Sequence, residues 1–419
     1  MQVRIRLALA LILLPTTLPA EGDLNLSYGT YTDNNGVTIG LQRYDVNIPA
    51  GPATQVILRY GVDTITSASR NYMNEAKHAD IGPTGIAGLI AKDPVKFKCG
   101  NCHLTDSPNP RKAVDTWTGA TTPALYDERH DMYGLGITRR LEEWTAGLEA
   151  AYGQERDYRS RSAKVTVGRD LLMRNTTLTG AFGITRDDLT PIGTQVGVGD
   201  RTTWQAEGSW TQVWRKDLTG QAVYAFSAER GILSNPYHRI NLYHLFNAKS
   251  PLVYRQGNQA DLVWRETHPD QRDGHAVAYR VNAALPWRAA VNSEYRYYRD
   301  SWGVQSHTAE VRYPQYLWRT LLVRPRYRYY RQTASNFFKE RYDGTEEFMT
   351  ADLRLAPFSA HLVGVKLGYA WPFGLGVDAQ WDHYLQISRL QLGYSADDSF
   401  FQTEDLKYDV VQVGVRYGF

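Results

Sequence analysis

From Tyr133 onward the chain changes character at every second residue. Tyr133, Leu135 and Ile137 alternate with Gly134, Gly136 and Thr138, and Trp144, Ala146, Leu148, Ala150 and Tyr152 alternate with Thr145, Gly147, Glu149, Ala151 and Gly153. Leu321, Val323, Tyr327 and Tyr329 repeat the pattern against Leu322, Arg324, Arg326, Arg328 and Tyr330, as do Val411, Val413, Val415, Tyr417 and Phe419 in the last nine residues. A period of two over such lengths makes a strand with one apolar and one polar face. Strands of soluble sandwiches run to about 5–6 residues, whereas a tilted bilayer crossing needs ~9–11. These runs have the second length. Glu, Lys and Arg on the polar face would not be tolerated against lipid, so that face belongs to a lumen. Closure follows, because an open sheet edge in hydrocarbon leaves backbone groups unpaired.

The alternation predicts strands over 23–32, 36–48, 53–64, 127–141, 143–159, 162–172, 177–187, 202–215, 219–230, 272–285, 288–301, 304–315, 319–332, 353–371, 374–388 and 405–419. The expected fold is therefore all-β: a transmembrane antiparallel barrel of about 16 strands, an even number that leaves both ends periplasmic. The long connections 65–126, 188–201, 231–271, 333–345 and 389–404 then share one side, and short turns such as 140–143, 285–287 and 371–374 share the other. That is the asymmetry of outer-membrane barrels. Trp144, Tyr152, Trp204, Trp214, Tyr295, Tyr297, Trp371 and Trp381 fall near strand ends, where amphipathic rings form interfacial girdles.

Composition narrows the choice. The chain has 419 residues with 28 Tyr and 11 Trp against 12 Phe, 42% hydrophobic residues and 35 Gly. Mean hydropathy is −0.46, and past the first 20 residues no apolar run approaches the ~18 needed for a spanning helix. A net charge of +3 carries no nucleic-acid footprint. The first twenty residues read as an export signal: Arg4 and Arg6, an apolar stretch from Leu7 to Leu14, Pro15, and a small residue at Ala20 before Glu21. Residues 1–20 are thus expected to be removed. Residues 21–419 form the barrel in the outer membrane of a Gram-negative cell, with membrane lipid as its surroundings.

One motif carries chemistry. Within KFKCGNCHLTDSPNP, Cys99, Cys102 and His103 form C-x-x-C-H. Two thiols at this spacing add to the vinyl groups of haem, and the histidine that follows ligates the iron. Both cysteines of the chain are used, in a chain addressed to the compartment where such attachment occurs. The expected cofactor is one haem c with His103 on the iron. His78 is the preferred distal ligand; Met73, His130 or an open position are the alternatives. A small disulfide, or a metal held by the cysteines with His103 and His78, are the competing readings.

The segments YDERHDMYGLGITRRLEEWTAGLEAAYGQERDYRS (126–160), HPDQRDGHAVAYRVNAALPW (268–287), SEYRYYRDSWGVQSHTAEVRY (293–313) and RPRYRYYRQTASNFF (324–338) resemble an uncharacterised family of Gram-negative outer-membrane barrels known only as a domain of unknown function. The strand end TSASRN at 66–71 adds to the likeness, while 72–125 departs from the family pattern. The resemblance implies a barrel, and a genomic setting beside flavin-transferase and thioredoxin-like proteins implies exported redox chemistry. It transfers no catalytic residue, because the family has no established activity.

The polar face adds a charge pattern. Arg280, Arg296, Arg312, Arg324, Arg326 and Arg328 are expected in the lumen, with Glu294 and Glu310 among them. They would either favour anions in the pore or build an interior ion-pair ladder, the reading preferred because acids interleave on neighbouring strands. Ser234, His238, Asn241 and His244 share one long loop, but spacing alone does not make a hydrolytic triad, and the chain is not read as an enzyme. Two functions remain: a haem-bearing component of an envelope electron-transfer system, with periplasmic or extracellular redox proteins as partners, or a passive porin or scaffold whose cysteine pair is a clasp.

Overall fold

The computed structural model describes residues 22–34, 37–65, 128–191, 198–235, 239–241, 263–339, 342, 346–350, 352–388 and 405–419. The export signal 1–20, Met73, His78, Cys99, Cys102, His103, His238 and His244 lie outside the described residues.

The strands are β1 (Asp23–Asp33), β2 (Thr38–Pro49), β3 (Thr54–Ile65), β4 (Glu128–Leu141), β5 (Trp144–Gln154), β6 (Tyr158–Leu171), β7 (Thr176–Leu189), β8 (Gly199–Arg215) and β9 (Leu218–Gly231). They continue with β10 (Arg239–Asn241), β11 (Val263–Arg265), β12 (Gln271–Leu285), β13 (Ala289–Asp300), β14 (Gln305–Arg312), β15 (Gln315–Leu317), β16 (Leu321–Gln332), β17 (Phe358–Ala370), β18 (Leu375–Ser388) and β19 (Lys407–Gly418). All except β10 and β11, which pair with each other, join one antiparallel sheet. β14 and β15 occupy the same place between β13 and β16, so the sheet has sixteen staves. It closes where β1 pairs β19, from Asp23↔Gly418 to Asp33↔Tyr408.

The two faces are those of the alternation. Leu135, Ile137, Leu148, Val165, Phe182, Val277, Val363, Val411 and Val413 form an exposed apolar belt around the outside. Two girdles bound it. Toward the long loops, Tyr44, Tyr60, Tyr133 and Tyr152 stand directly opposite one another on β2 to β5. Toward the short turns lie Trp144, Trp214, Trp287, Trp318 and Trp371. Trp144 and Tyr152 are eight residues apart on β5, ~27 Å along a strand at ~3.4 Å per residue. A tilt of ~40° reduces this to ~21 Å, close to the ~25 Å apolar band of an outer-membrane barrel.

Three expected strands are shorter or broken. The run 143–159 turns back at 155–157 between β5 and β6. The run 304–315 is interrupted at Tyr313 and Pro314, because proline has no N–H for the ladder. The run 353–371 starts with a 3-10 turn at Leu353–Leu355, and β17 begins only at Phe358.

The described parts of the chain between β16 and β17 pack as a cap against the β13–β14 corner at the long-loop rim. Trp302, Val304, Phe337 and Leu355 form its buried cluster, with Leu233, Tyr298 and Phe348 against it. Bridges Thr267↔Met349 and Phe338↔Thr350 tie its pieces together. Asp300 is the hub. Its carboxylate accepts from Arg272 at 2.5 and 2.9 Å, from the Tyr298 hydroxyl at 3.0 Å, and from the backbone N–H groups of Trp302 and Val304 at 3.0 Å each. The Arg272 guanidinium also lies 4.5 Å above the Trp302 ring.

Candidate functional site

The lumen wall is where the expected site residues converge. Parity follows from the belt: Val277 and Tyr279 face out, so Ala278 and Arg280 face in, and the cross-strand register carries this assignment around the barrel. On the wall from β12 to β18 the inward charges are Arg272, Arg280, Arg296, Arg312, Arg324, Arg326, Arg328 and Lys366 against Glu294, Asp300, Glu310, Asp378 and Asp382, an excess of three positive charges. Arg280 Nε donates to Glu294 at 2.7 Å and its Nη1 to Gln221 at 3.0 Å. Glu310 accepts from both Arg312 and Arg328. Arg326 bonds Asp382 at 2.6 Å, and Lys366 bonds Asp378 at 2.6 Å. Arg280 with Glu294 and Arg328 with Glu310 are directly opposed, the arrangement that stabilises a sheet, and with the neighbouring pairs they make most of this wall a ladder of compensated charge.

Two arginines are exceptions. Arg296 has no carboxylate partner among the described residues and lies 5.9 Å from the Tyr298 ring. Among the described residues Arg324 bonds only the Gln380 side-chain oxygen, at 3.2 Å, and its Nε has no hydrogen-bond partner there. Across the lumen acids are in excess: Arg43 pairs Asp63 at 2.7 Å, and Arg59 pairs Glu149 at 3.0 Å and reaches Asp45 at 4.0 Å, two cations against three carboxylates. Arg43, Asp45, Arg59 and Glu149 border a recess of about 330 Å³. The net positive wall lies on the far side.

The insertion that carries C-x-x-C-H leaves β3 at Ile65 and returns at Glu128, and these two residues are paired. The whole segment therefore hangs from two adjacent positions on the long-loop rim. His130 stands two residues into β4, with Nδ1 3.3 Å from Glu155 and 4.0 Å from Asp63. Burial, Asp157 and Asp63 push the Glu155 carboxyl above its usual range. Of the loop residues weighed for hydrolysis, Ser234 is described. Its Oγ accepts from the His268 backbone N–H at 2.7 Å, while the His268 imidazole lies 2.9 Å from the Glu266 carboxylate and 3.1 Å from the Leu233 carbonyl. The hydroxyl bonds a backbone amide there, not an imidazole. Among the described residues no group of three His, Cys, Asp or Glu side chains could hold a metal ion.

Several polar groups were not singled out from the sequence. Asp300 could have been read from the D-S-W-G corner that ends a Tyr-rich strand. The outward histidines His275, His307 and His361 are signalled by an aromatic-x-aromatic pair on the preceding stave: Tyr224 and Phe226, Tyr295 and Tyr297, Tyr327 and Tyr329. Their meeting depends on cross-strand register, which a single strand does not state.

The chain is similar to several solved structures. One is a bacterial polysaccharide outer membrane secretin, with 8% identity over 95% of this chain and 98% of that one and a TM-score of 0.48. Another is the outer membrane protein OpdK of Pseudomonas aeruginosa, with 10% identity over 95% and 98% and a TM-score of 0.40. A third is CdiB of Acinetobacter baumannii, with 8% identity over 94% and 60% and a TM-score of 0.45. No curated protein matches the sequence. A family model described as "Protein of unknown function (DUF3570)" matches residues 13–199 and 194–403. With nearly all of the barrel under that model, the chain belongs to this family, whose function is not known.

Proposed function

We propose that this outer-membrane barrel carries one covalent haem c in the 66–127 connection and serves an envelope electron-transfer system. The observation that carries the reading is C-x-x-C-H at Cys99, Cys102 and His103, the only two cysteines of the chain placed at haem-attachment spacing. The donor set suits the group: two thiols for the vinyl carbons and an imidazole for the iron, with His78 on its distal side. The rim geometry is compatible with it. An insertion between paired residues Ile65 and Glu128 can be long and chemically specialised while the β3–β4 hairpin still closes. Bound haem would supply one-electron exchange. One haem cannot bridge a hydrocarbon layer of ~30 Å, so redox proteins bearing thiol, flavin or haem groups would be its partners.

The test is expression with the haem-attachment machinery. A mass one haem above the polypeptide is expected, with a c-type absorption band that survives denaturation and is lost in Cys99→Ala/Cys102→Ala. A bare polypeptide mass, where a control cytochrome is loaded, would sink the haem. The second reading would then stand: a passive porin or scaffold with the cysteines as a disulfide or metal clasp. The charge asymmetry of the lumen, cationic on the β12–β18 wall and acidic opposite, favours its porin form, which predicts open channels whose ion preference shifts when those charges are removed.

A further inference from the structure

The outer face carries a repeated unit just beneath the long-loop rim. On β9, Tyr224 and Phe226 enclose His275 of β12; on β13, Tyr295 and Tyr297 enclose His307 of β14; on β16, Tyr327 and Tyr329 enclose His361 of β17. In each unit the lower tyrosine hydroxyl meets histidine Nδ1, at 2.8, 2.7 and 2.9 Å. The ring is thereby fixed, and Nε2 has no partner among the described residues. The next stave completes two of the units and not the third. Arg299 stands directly opposite His275, and Arg331 directly opposite His307, whereas Leu385 stands opposite His361.

Both guanidinia are exposed and have no partner among the described residues. This contrasts with Arg230 nearby, which is held by Asp273 at 2.7 Å. That aspartate is the carboxylate nearest to the patch along β12, and it is already neutralised. Gln305, which accepts from the Tyr297 hydroxyl at 3.2 Å, separates Arg299 from Arg331 on β14. The two arginines are two staves apart, ~10 Å at ~4.8 Å per strand. A charge on the lipid-facing wall is costly at the midplane and nearly free at the interface. At this height two unpaired arginines are tolerated, and the groups that complement them are phosphates, which guanidinium binds by paired N–H donors.

We propose that the outward patch of His275, Arg299, His307 and Arg331 docks the phosphates of a glycolipid in the outer leaflet. The aromatic pairs supply the interfacial platform, the arginines supply charge, and each Nε2 supplies a hydrogen bond beside it. The proposal rests on the outer-membrane reading with the long loops external and is independent of the haem. Purified barrel in neutral detergent would be titrated with bis-phosphorylated lipid A, with its dephosphorylated form, and with phosphatidylglycerol, and bound lipid counted by native mass spectrometry. Wild type should hold the phosphorylated glycolipid at least tenfold more tightly than either comparison lipid. Arg299→Gln/Arg331→Gln should lose most of that preference. Arg169→Gln/Arg174→Gln at the opposite rim should keep it. Heat-modifiable migration on gels checks that each variant is a folded barrel, and the lipid comparison on wild type needs no variant. Equal binding of the dephosphorylated lipid, equal binding of phosphatidylglycerol, or full retention by the folded double variant would overturn the proposal. A chain that never migrates as a folded barrel would instead overturn the outer-membrane reading.

Discussion

The two rims of the barrel are built by different means. At the short-turn rim the backbone does the work. Among the described residues, all seven non-glycine residues with positive φ lie there: Glu142, Leu172, Met173, Arg174, Arg288, Trp318 and Arg319. Each left-handed residue costs roughly 1–2 kcal/mol, which the flanking staves offset by fixing both ends of a two- to four-residue turn. At the long-loop rim order comes from side chains: a buried cluster on Trp302 and Phe337, the Asp300 hub, and Tyr342. The Tyr342 phenol donates to the Phe337 carbonyl at 2.5 Å and accepts from the Thr350 N–H at 2.9 Å. Burial pushes that phenol up to about 12. A rim made of tight turns tolerates side-chain change, whereas a rim made of packed loops depends on a few buried groups.

The most direct way to break the contrast is Asp300→Ala. It removes the partner of Arg272 and the acceptor for two backbone amides, and breaking such a buried pair costs ~3–5 kcal/mol. Limited proteolysis should cut between 333 and 357 while the barrel stays heat-modifiable. Resistance equal to wild type would show that the hub does not hold the cap.

Depth below the rims separates the next pair. Leu148 lies midway along β5 and is 54% exposed on the outer face, so Leu148→Arg should cost ~2–4 kcal/mol. Val323 lies two residues inside the short-turn rim on β16, so Val323→Arg should cost only ~0–1 kcal/mol. Reversible unfolding in urea from lipid vesicles reads both. Equal losses would mean that the belt is misplaced along the axis.

Lumen charge sharpens the contrast without touching stability. Arg296, nearer the loop rim, has no carboxylate partner among the described residues, whereas Arg416, nearer the turn rim, lies 3.7 Å from Asp23. Arg296→Gln should leave stability within about ±0.5 kcal/mol and move the zero-current potential in a KCl gradient toward cations. Arg416→Gln should move it less. The reverse order would place the selective field at the other end.

The smallest effect concerns pH. Glu155, in the loop-rim turn, has a carboxyl raised above its usual range by burial, Asp157 and Asp63. A raised folded-state value means the fold holds this proton more tightly than the unfolded chain does. The associated stability is present below the ordinary glutamate range and is lost as pH rises through the raised value. Glu155→Gln should flatten stability across that window and be no less stable at neutral pH. An unchanged pH profile in thermal melts would remove Glu155 from the account.

Most of the barrel was legible in the sequence because a stave needs only a period of two and a turn. Val411, Val413, Val415 and Tyr417 declare their face without any neighbour. The arginines of the β12–β18 wall were legible as inward-facing, although which ones lack a carboxylate depends on cross-strand register. The cap was not legible. Trp302 and Phe337 are far apart in sequence, Leu353–Leu355 forms a 3-10 turn inside an alternating run, and two isolated bridges replace any repeat. The chemistry of Cys99, Cys102 and His103 is legible only as a spacing.

Most staves join a partner that is next in sequence. The seam between β1 and β19 joins positions as distant as Asp23 and Gly418. Local hairpins form early, whereas a pairing across so long a chain waits on the slowest search. Until β19 arrives, β1 and β18 each present an open row of backbone donors and acceptors, a template for the wrong strand. The moment of greatest danger for this protein is thus the interval just before closure, when two unpaired edges stand open at once.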